Sequence, residues 1–286
     1  MKKIFQRLIV FVIGLPALLS VVIFFPQHNH LCLNLVIITF SILGAVELRN
    51  ILSHKNLHIS VPETIFFGAI SPAAWTVMVT FGLTDRNIVS GAFILGASWL
   101  LISGIFTTRE KLESYIGRVT AGFAVMIYPG LFMAWIIQMT MFREAGMVIL
   151  VFFLVALLND AFAWAAGVLF GKNNRGILAV SPNKSIAGFI GGLAASVLAG
   201  IAAVILIPEV FSSTVMPSIP AGMLLGFGAG VAATLGDLGE SAIKRSAGVK
   251  DSGSLILGRG GALDSIDSLA LAAPVFFMMY QFLFAA

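Results

Sequence analysis

Apolar residues along the 286-residue chain fall into blocks of about twenty, separated by short polar breaks. An α-helix needs about 20 residues to cross roughly 30 Å of hydrocarbon. The blocks are continuous and lack the ten-residue alternation of a membrane β-barrel. The pattern therefore predicts an all-α polytopic integral membrane protein of about nine transmembrane helices. The predicted spans are Leu8–Phe25, Leu31–Val46, Thr64–Gly82, Ile88–Phe106, Val119–Phe142, Met147–Phe170, Ile186–Ile207, Ile219–Leu235 and Ile266–Phe284.

Composition supports the same class of protein. Hydrophobic residues make up 59% of the chain and charged residues 10%, against roughly 25% charged in an average soluble domain. So few charges cannot cover a water-soluble surface. The net charge of +4 does not indicate a nucleic-acid partner, because the basic residues alternate with apolar blocks and have no aromatic residues between them.

The basic residues instead predict the orientation of the chain, because Lys and Arg in short loops stay preferentially in the cytoplasm. With the N-terminus in the cytoplasm, only Arg86 and Arg143 of the 17 basic residues lie outside, which leaves 15 inside. An odd number of spans places the C-terminus across the membrane. We divide the chain into residues 1–146, with five spans, and 147–286, with four spans and both polar motifs described below.

Charged residues inside apolar blocks are costly and are candidates for function. Asp160 follows Asn159 deep in the sixth block, and Glu47 lies near the cytoplasmic end of the second block. Arg49 is available as an ordinary partner for Glu47, so a functional and a purely structural role for Glu47 both remain open.

The first polar motif lies in the predicted cytoplasmic loop after the sixth span. It reads Gly-Lys-Asn-Asn-Arg over 171–175 and Ser-Pro-Asn-Lys-Ser over 181–185, followed by a glycine-rich span. Three cations thus lie beside the helix that carries Asp160. A solvated basic loop has the same composition, so this motif alone predicts little.

The second polar motif is longer and more specific. On a helix, Asp237, Glu240, Ser241 and Lys244 share one face, at positions i, i+3, i+4 and i+7. A break with Lys250-Asp251 and Gly260-Gly261 follows, and then Asp264, Asp267 and Ser268 at i, i+3 and i+4. Paired carboxylates suit magnesium, and nearby Lys and Arg can neutralise phosphate oxygens. The motif predicts a nucleotide-phosphate site; the alternative is a salt-bridged amphipathic loop on the membrane surface.

At these residues the chain resembles the phosphatidate cytidylyltransferase (CDP-diacylglycerol synthase) family. The family signature is matched by Ser241, Lys244-Arg245, Lys250-Asp251, Gly260-Gly261, Asp264 and Asp267, and a second segment by Ser181-Pro182-Asn183-Lys184 downstream of Asp160. The resemblance is specific from Asn159 to Ser268, whereas the N-terminal half agrees only in having several spans. The chain departs from the family pattern at Ser185, Ile186, Ala187, Arg259 and Ser265.

The resemblance implies that CTP and phosphatidic acid react to give CDP-diacylglycerol and pyrophosphate in phospholipid synthesis. It implies Mg²⁺, with a second monovalent or divalent cation as a further expectation, and metal ligands Asp237 and Asp264, joined by Asp267 and Asp160. Catalysis is expected from the metal ligands Asp237 and Asp264 together with Lys184, Lys244 and Arg245. Substrate binding is expected from Ser181, Lys184, Ser241, Lys244, Arg245, Lys250 and Asp251. Ser268 is expected to contribute little.

The expected location is a bacterial inner membrane, with the active site facing the cytoplasm. Membrane lipids surround the chain, and a homodimer is compatible with the resemblance. Two alternatives remain at this stage: a related transferase that acts on another lipid phosphate, and a non-catalytic transporter or scaffold. A transporter typically has broken helices in two related halves, and the sequence has no such symmetry.

Overall fold

The structure is a computed structural model and describes residues 13–85, 87–256, 258 and 260–285. The basic residues Lys2, Lys3, Arg7, Arg86 and Arg259, and the start of the first predicted span, lie outside the described residues. Within these ranges the regular structure is helical, and the only β-type pairing consists of two isolated bridges. The α-helices are α1 (Leu15–Phe24), α2 (Gln27–Ser53), α3 (Val61–Thr80), α4 (Asn87–Ile102), α5 (Arg109–Leu112), α6 (Tyr115–Val125), α7 (Phe132–Gln138), α8 (Ala145–Phe170), α9 (Ile186–Leu206), α10 (Ser218–Ser246) and α11 (Leu263–Phe284).

In the described part of the chain, each predicted apolar block coincides with helical structure, which confirms an all-α polytopic membrane protein. Seven helical stretches of the described residues are long and apolar enough to cross a membrane. Two predicted spans are not among them. Helix α1 has only ten described residues, and α3 is long enough at 20 residues but is not apolar enough. The count of nine spans therefore stays a prediction. The seven are Gln27–Ser53, Asn87–Phe106, Tyr115–Met141, Ala145–Phe170, Ile186–Leu206, Ser218–Ser246 and Leu263–Phe284.

Helix α10 is longer than the apolar block that predicted it. The block ends at Leu235, but the helix continues for three more turns to Ser246 and includes the polar face at Asp237 to Lys244. The helical spacing of these polar residues predicted this continuation. Helix α11 begins at Leu263, so Asp264 lies in its first turn.

The chain forms two compact units that are not consecutive in sequence. Unit 1 comprises the described residues up to Met141 together with Ile243–Ile266. Unit 2 comprises Phe142–Ala242 together with Asp267–Ala286, of which Ala286 is not described. The second polar motif therefore contributes residues to both units.

Unit 1 is held together by apolar packing and by buried polar contacts between helices. Phe67, Met78 and Met133 are fully or almost fully buried. The hydroxyl of Ser41 on α2 donates to the Gly68 carbonyl on α3 at 2.7 Å. The hydrocarbon core of a membrane has no water to hydrogen-bond a polar group, so such groups need partners within the protein.

Unit 2 contains the close helix packing that its small residues predicted. A Cβ atom added at Gly200 on α9 would collide with the backbone of Gly222 on α10, and the reverse also holds. The two backbones can therefore approach only because both positions are glycine. This packing fixes α9 and α10, which carry or adjoin several of the predicted site residues.

Candidate active site

Four carboxyl groups gather in unit 2, and we call them the acid cluster: Asp160 on α8, Asp237 and Glu240 on α10, and Asp267 on α11. The other three groups all lie within electrostatic range of Asp267. Glu240 is 1% exposed and Asp267 is 8% exposed. Buried carboxylates repel one another unless a cation or a proton offsets their charge, so either a bound cation or protonation would stabilise the cluster.

The position of Asp160 is fixed by its neighbours on both sides. The amide of Asn159 donates to the Ser196 hydroxyl at 3.0 Å and to the Gly230 carbonyl at 3.2 Å, which ties α8 to α9 and α10. The hydroxyl of Ser268 lies 3.2 Å from each carboxylate oxygen of Asp160. Ser268 is 3% exposed and contacts the acid cluster through Asp160, so it is a poor choice for a control substitution.

Lys184 brings a positive charge to the acid cluster through an ion pair with Asp237. Its loop is shaped by a turn in which the Lys184 amide donates to the Ser181 carbonyl at 3.1 Å. The next residue, Ser185, caps α9 by accepting the Gly188 amide at 3.1 Å. The side chains of Lys184 and Asp237 are 26% and 30% exposed, so an anionic ligand can reach this pair.

A second lysine and aspartate pair lies in unit 1. The ammonium of Lys244, near the end of α10, is 2.5 Å from Oδ1 of Asp264, and each side chain is 9% exposed. Between them runs the signature loop, which we define as residues 247–262, without the undescribed residues 257 and 259. The buried pair is less accessible than the pair formed by Lys184.

The signature loop holds the other oxygen of Asp264. Oδ2 accepts the backbone N–H of Ser252 at 2.9 Å and that of Gly261 at 2.7 Å. The hydroxyl of Ser252 also lies 2.9 Å from this oxygen. Asp264 therefore has a defined orientation that the loop and Lys244 determine together.

Glu47, at the predicted cytoplasmic end of the second span, reaches the same loop in unit 1. Its carboxylate accepts the backbone N–H groups of Ala262 at 2.9 Å and of Leu263 at 2.8 Å, and it lies 2.8 Å from the Ser252 hydroxyl. Arg49 is not its partner, because the Arg49 guanidinium donates to the Ile59 carbonyl and to the Asn50 side chain. Of the two alternatives that the sequence left open for Glu47, the structure therefore does not support the ordinary pair with Arg49.

The other predicted substrate-binding residues lie around these two pairs. Arg245 is exposed and donates to the Val249 carbonyl at 3.1 Å, and Lys250 and Asp251 are also exposed. Ser181 and Ser241 are partly exposed. Unit 1 thus groups Lys244, Arg245, Lys250, Asp251 and Asp264, and unit 2 groups Asp160, Ser181, Lys184, Asp237, Ser241 and Asp267.

The predicted metal ligands agree with Mg²⁺ in the chemistry of their donor atoms. Carboxylate oxygens are the hard ligands that Mg²⁺ prefers, and the acid cluster concentrates them. Among the described side chains, however, no three Asp, Glu, His or Cys groups converge as a ready-made metal site. Lys184 contacts Asp237 and Lys244 contacts Asp264. Metal binding at either aspartate therefore requires the lysine to move away or the metal to use a carboxylate oxygen that the lysine also contacts.

Comparison with known proteins identifies the family of this chain. The model of the cytidylyltransferase family matches residues 5–283, so the likeness extends through the N-terminal half as well as the two polar motifs. The uncharacterized protein YnbB of Escherichia coli is 32% identical over 199 residues, which cover 68% of this chain. The matched part spans 62% of that relative.

Other relatives, including one from Thermotoga and one from Staphylococcus, carry a functional name. A phosphatidate cytidylyltransferase of Thermotoga maritima is 33% identical over 225 residues, with 76% of this chain and 78% of the relative covered. A phosphatidate cytidylyltransferase of Staphylococcus saprophyticus is 28% identical over 266 residues, with coverage of 91% and 95%. With its membrane helices and its lysine and aspartate pairs, this chain belongs to the cytidylyltransferase family.

Proposed function

We propose that this protein transfers the cytidylyl group of CTP to phosphatidic acid, giving CDP-diacylglycerol and pyrophosphate. The observation that carries the proposal is the pairing of a motif lysine with a motif aspartate in each unit, Lys184 with Asp237 and Lys244 with Asp264. Family membership and the names of the Thermotoga and Staphylococcus relatives support the same reaction.

The reaction needs little covalent chemistry from the protein. A phosphate oxygen of the lipid, already an anion near neutral pH, attacks the α-phosphorus of CTP. The bond from this phosphorus to the oxygen that bridges to the β-phosphorus breaks, and pyrophosphate leaves with the electron pair. Catalysis then depends on positioning two anionic substrates and on offsetting their charge.

The cationic side chains of the two motifs suit the binding of phosphate groups. We assign Lys184, Lys244, Arg245 and Lys250 to the phosphates of CTP and of the lipid, because charge-assisted hydrogen bonds to phosphate are strong. Ser181, Ser241 and Asp251 are assigned to positioning the substrates. Lys184 has the more exposed of the two pairs, so it is the first candidate to exchange its carboxylate partner for a phosphate.

We further propose that Mg²⁺ is held by Asp160, Asp237 and Asp267 in unit 2 and, separately, by Asp264 in unit 1. When bound, the ion would neutralise phosphate oxygens and support the departure of pyrophosphate. The burial and mutual proximity of the cluster carboxylates support this assignment, because a divalent cation relieves their repulsion.

The acceptor is tested by competition in detergent solution. We expect purified protein supplied with labelled CTP and an equimolar mixture of phosphatidic acid and other lipid phosphates to label mainly CDP-diacylglycerol. A water-soluble phosphate monoester is the matched control and should give no product. Preferential labelling of a different lipid would assign the protein to another lipid phosphate, and no labelled lipid with any acceptor would refute the transferase.

We also propose that the active site faces the cytoplasm of a bacterial inner membrane, with the N-terminus on the same side. The alternation of basic loops along the chain supports this topology. Single cysteines introduced at Lys172 and at Lys250, in a chain whose Cys32 is replaced by Ser, should be protected from a membrane-impermeant thiol reagent in intact cells. A cysteine at Arg143 should react, and labelling of Lys172→Cys from outside would refute the topology.

A further inference from the structure

Glu47 is the one acid of the N-terminal half that the described structure brings to the signature loop. It is 9% exposed, lies on α2, and is more than 200 residues from the loop in sequence. We propose that Glu47 is a positioning residue that orders the signature loop and thereby sets the orientation of Asp264 and Lys244. This inference rests on the proposed cytidylyl transfer and adds a residue that acts through others and does not touch the substrates.

The contact between Glu47 and the loop stabilises both partners. The first N–H groups of a helix have no partner within the helix and carry partial positive charge. Glu47 accepts the N–H of Leu263, the first residue of α11, and that of Ala262 just before it. A buried carboxylate without such donors would cost free energy, and so would the buried N–H groups without an acceptor.

Ser252 connects Glu47 to Asp264. Its hydroxyl lies 2.8 Å from Oε2 of Glu47 and 2.9 Å from Oδ2 of Asp264, and its single proton can serve only one of them at a time. The hydroxyl oxygen also accepts the Asp264 N–H at 3.2 Å. A displacement of the Glu47 carboxylate would therefore move the Ser252 side chain, and this movement would change the hydrogen bonds of Asp264.

Two glycines show how closely the loop surrounds Glu47. A Cβ atom at Gly261 would overlap Oε2 of Glu47, and one at Gly253 would lie 2.5 Å from Oε1. Real Cβ atoms do not approach other atoms so closely. A side chain at either position would force the Glu47 carboxylate to shift, so the two glycines leave room for the carboxylate where it lies.

Glu63 provides a matched control within unit 1. It is also a carboxylate at a helix start, but it caps its own helix α3 through Ser60 and pairs with Arg118 on α6. Its contacts involve no residue of the signature loop. Loss of the Glu63 charge should therefore affect stability without affecting Asp264.

The first experiment measures the order of the loop directly. Glu47→Gln keeps the size of the side chain but replaces one acceptor oxygen by an amino group that faces N–H donors. In protein without metal or nucleotide, we expect the amides of residues 252–264 to exchange about tenfold faster than in the wild type. Glu63→Gln should leave the exchange of these amides unchanged.

The second experiment measures catalysis in the same variants. We expect Glu47→Gln to reduce kcat by about 10- to 100-fold, the typical effect of removing a partner that orients an active-site ligand. The magnesium concentration for half-maximal rate should rise, whereas Glu63→Gln should keep both values. Ser252→Ala should reproduce the effect in milder form, and the double variant should be less than additive because the residues are in contact.

The outcomes separate the inference from the proposed function. Unchanged amide exchange in both Glu47→Gln and Ser252→Ala would overturn the positioning role, whatever the activity. Faster exchange with unchanged kcat and magnesium dependence would also overturn it and make Glu47 purely structural. A wild-type protein that produces no CDP-diacylglycerol would refute the proposed function. The amide-exchange result would still show whether Glu47 orders the signature loop.

Discussion

Asp264→Asn is expected to lose most product formation, by about 10²-fold or more, which is the usual effect of removing one strong electrostatic contact to the transition state. The substitution keeps the size of the side chain and removes its charge. Asp264 contacts Lys244 at 2.5 Å and accepts the Gly261 N–H at 2.7 Å, so the change affects a lysine proposed to bind phosphate as well as a proposed metal ligand. Steady-state rates at saturating CTP and limiting magnesium measure the effect.

This variant should also lose some stability, because the buried Lys244 would lose the charged contact that Asp264 provides. Rates are therefore compared per amount of folded protein, with the melting temperature recorded. Asp85→Asn is the matched control, since it is the same chemical change at an exposed residue that accepts the Asn87 N–H at 2.9 Å. Near wild-type turnover in Asp264→Asn would show that Asp264 is structural, and only Asp160, Asp237 and Asp267 would remain as proposed metal ligands.

Removal of divalent cations should abolish product formation altogether. The acid cluster and the triphosphate of CTP are both negative and repel each other unless a cation lies between them. EDTA should stop the reaction, and an excess of magnesium should restore it. EDTA saturated with magnesium beforehand is the control and should not inhibit.

Full turnover in chelator would remove the metal assignment. In that case Lys184 and Lys244 would have to supply the positive charge by themselves. Their present ion pairs with Asp237 and Asp264 would then represent resting contacts that CTP displaces.

The helices could be predicted because lipid imposes a simple rule on sequence. Backbone groups in hydrocarbon must be satisfied within a helix, so each span appears as one apolar block. The polar face at Asp237 to Lys244 extended this reasoning to the last three turns of α10, because its i, i+3, i+4 and i+7 spacing is helical. The helix start at Leu263 placed Asp264 and Asp267 on one helix, as their spacing predicted.

The role of Glu47 could not be predicted in the same way. Its partners Ser252, Ala262 and Leu263 are more than 200 residues away, and two of the three bonds are to backbone N–H groups. Every residue except proline has a backbone N–H, so a hydrogen bond from the backbone cannot be inferred from residue types. Arg49, two residues away, offered a simpler partner, and only the three-dimensional structure shows that Arg49 bonds elsewhere.

Ser268 and Glu240 show a related difficulty within a helix. Spacing indicates that residues share a face, but it does not indicate what that face contacts. Ser268 lies against Asp160, which is 108 residues earlier, and is buried for that reason. Glu240 was recognised on the polar face of α10, but its membership of the acid cluster depends on the packing of α8, α10 and α11 in unit 2.

The transfer of a cytidylyl group is tested most directly by following two different labels in CTP. Purified protein is incubated with magnesium, phosphatidic acid and CTP labelled at either the α- or the γ-phosphorus. The proposed reaction predicts that the α-label enters the lipid as CDP-diacylglycerol and that the γ-label appears only in pyrophosphate. Retention of both labels in CTP, or entry of the γ-label into lipid, would contradict cytidylyl transfer.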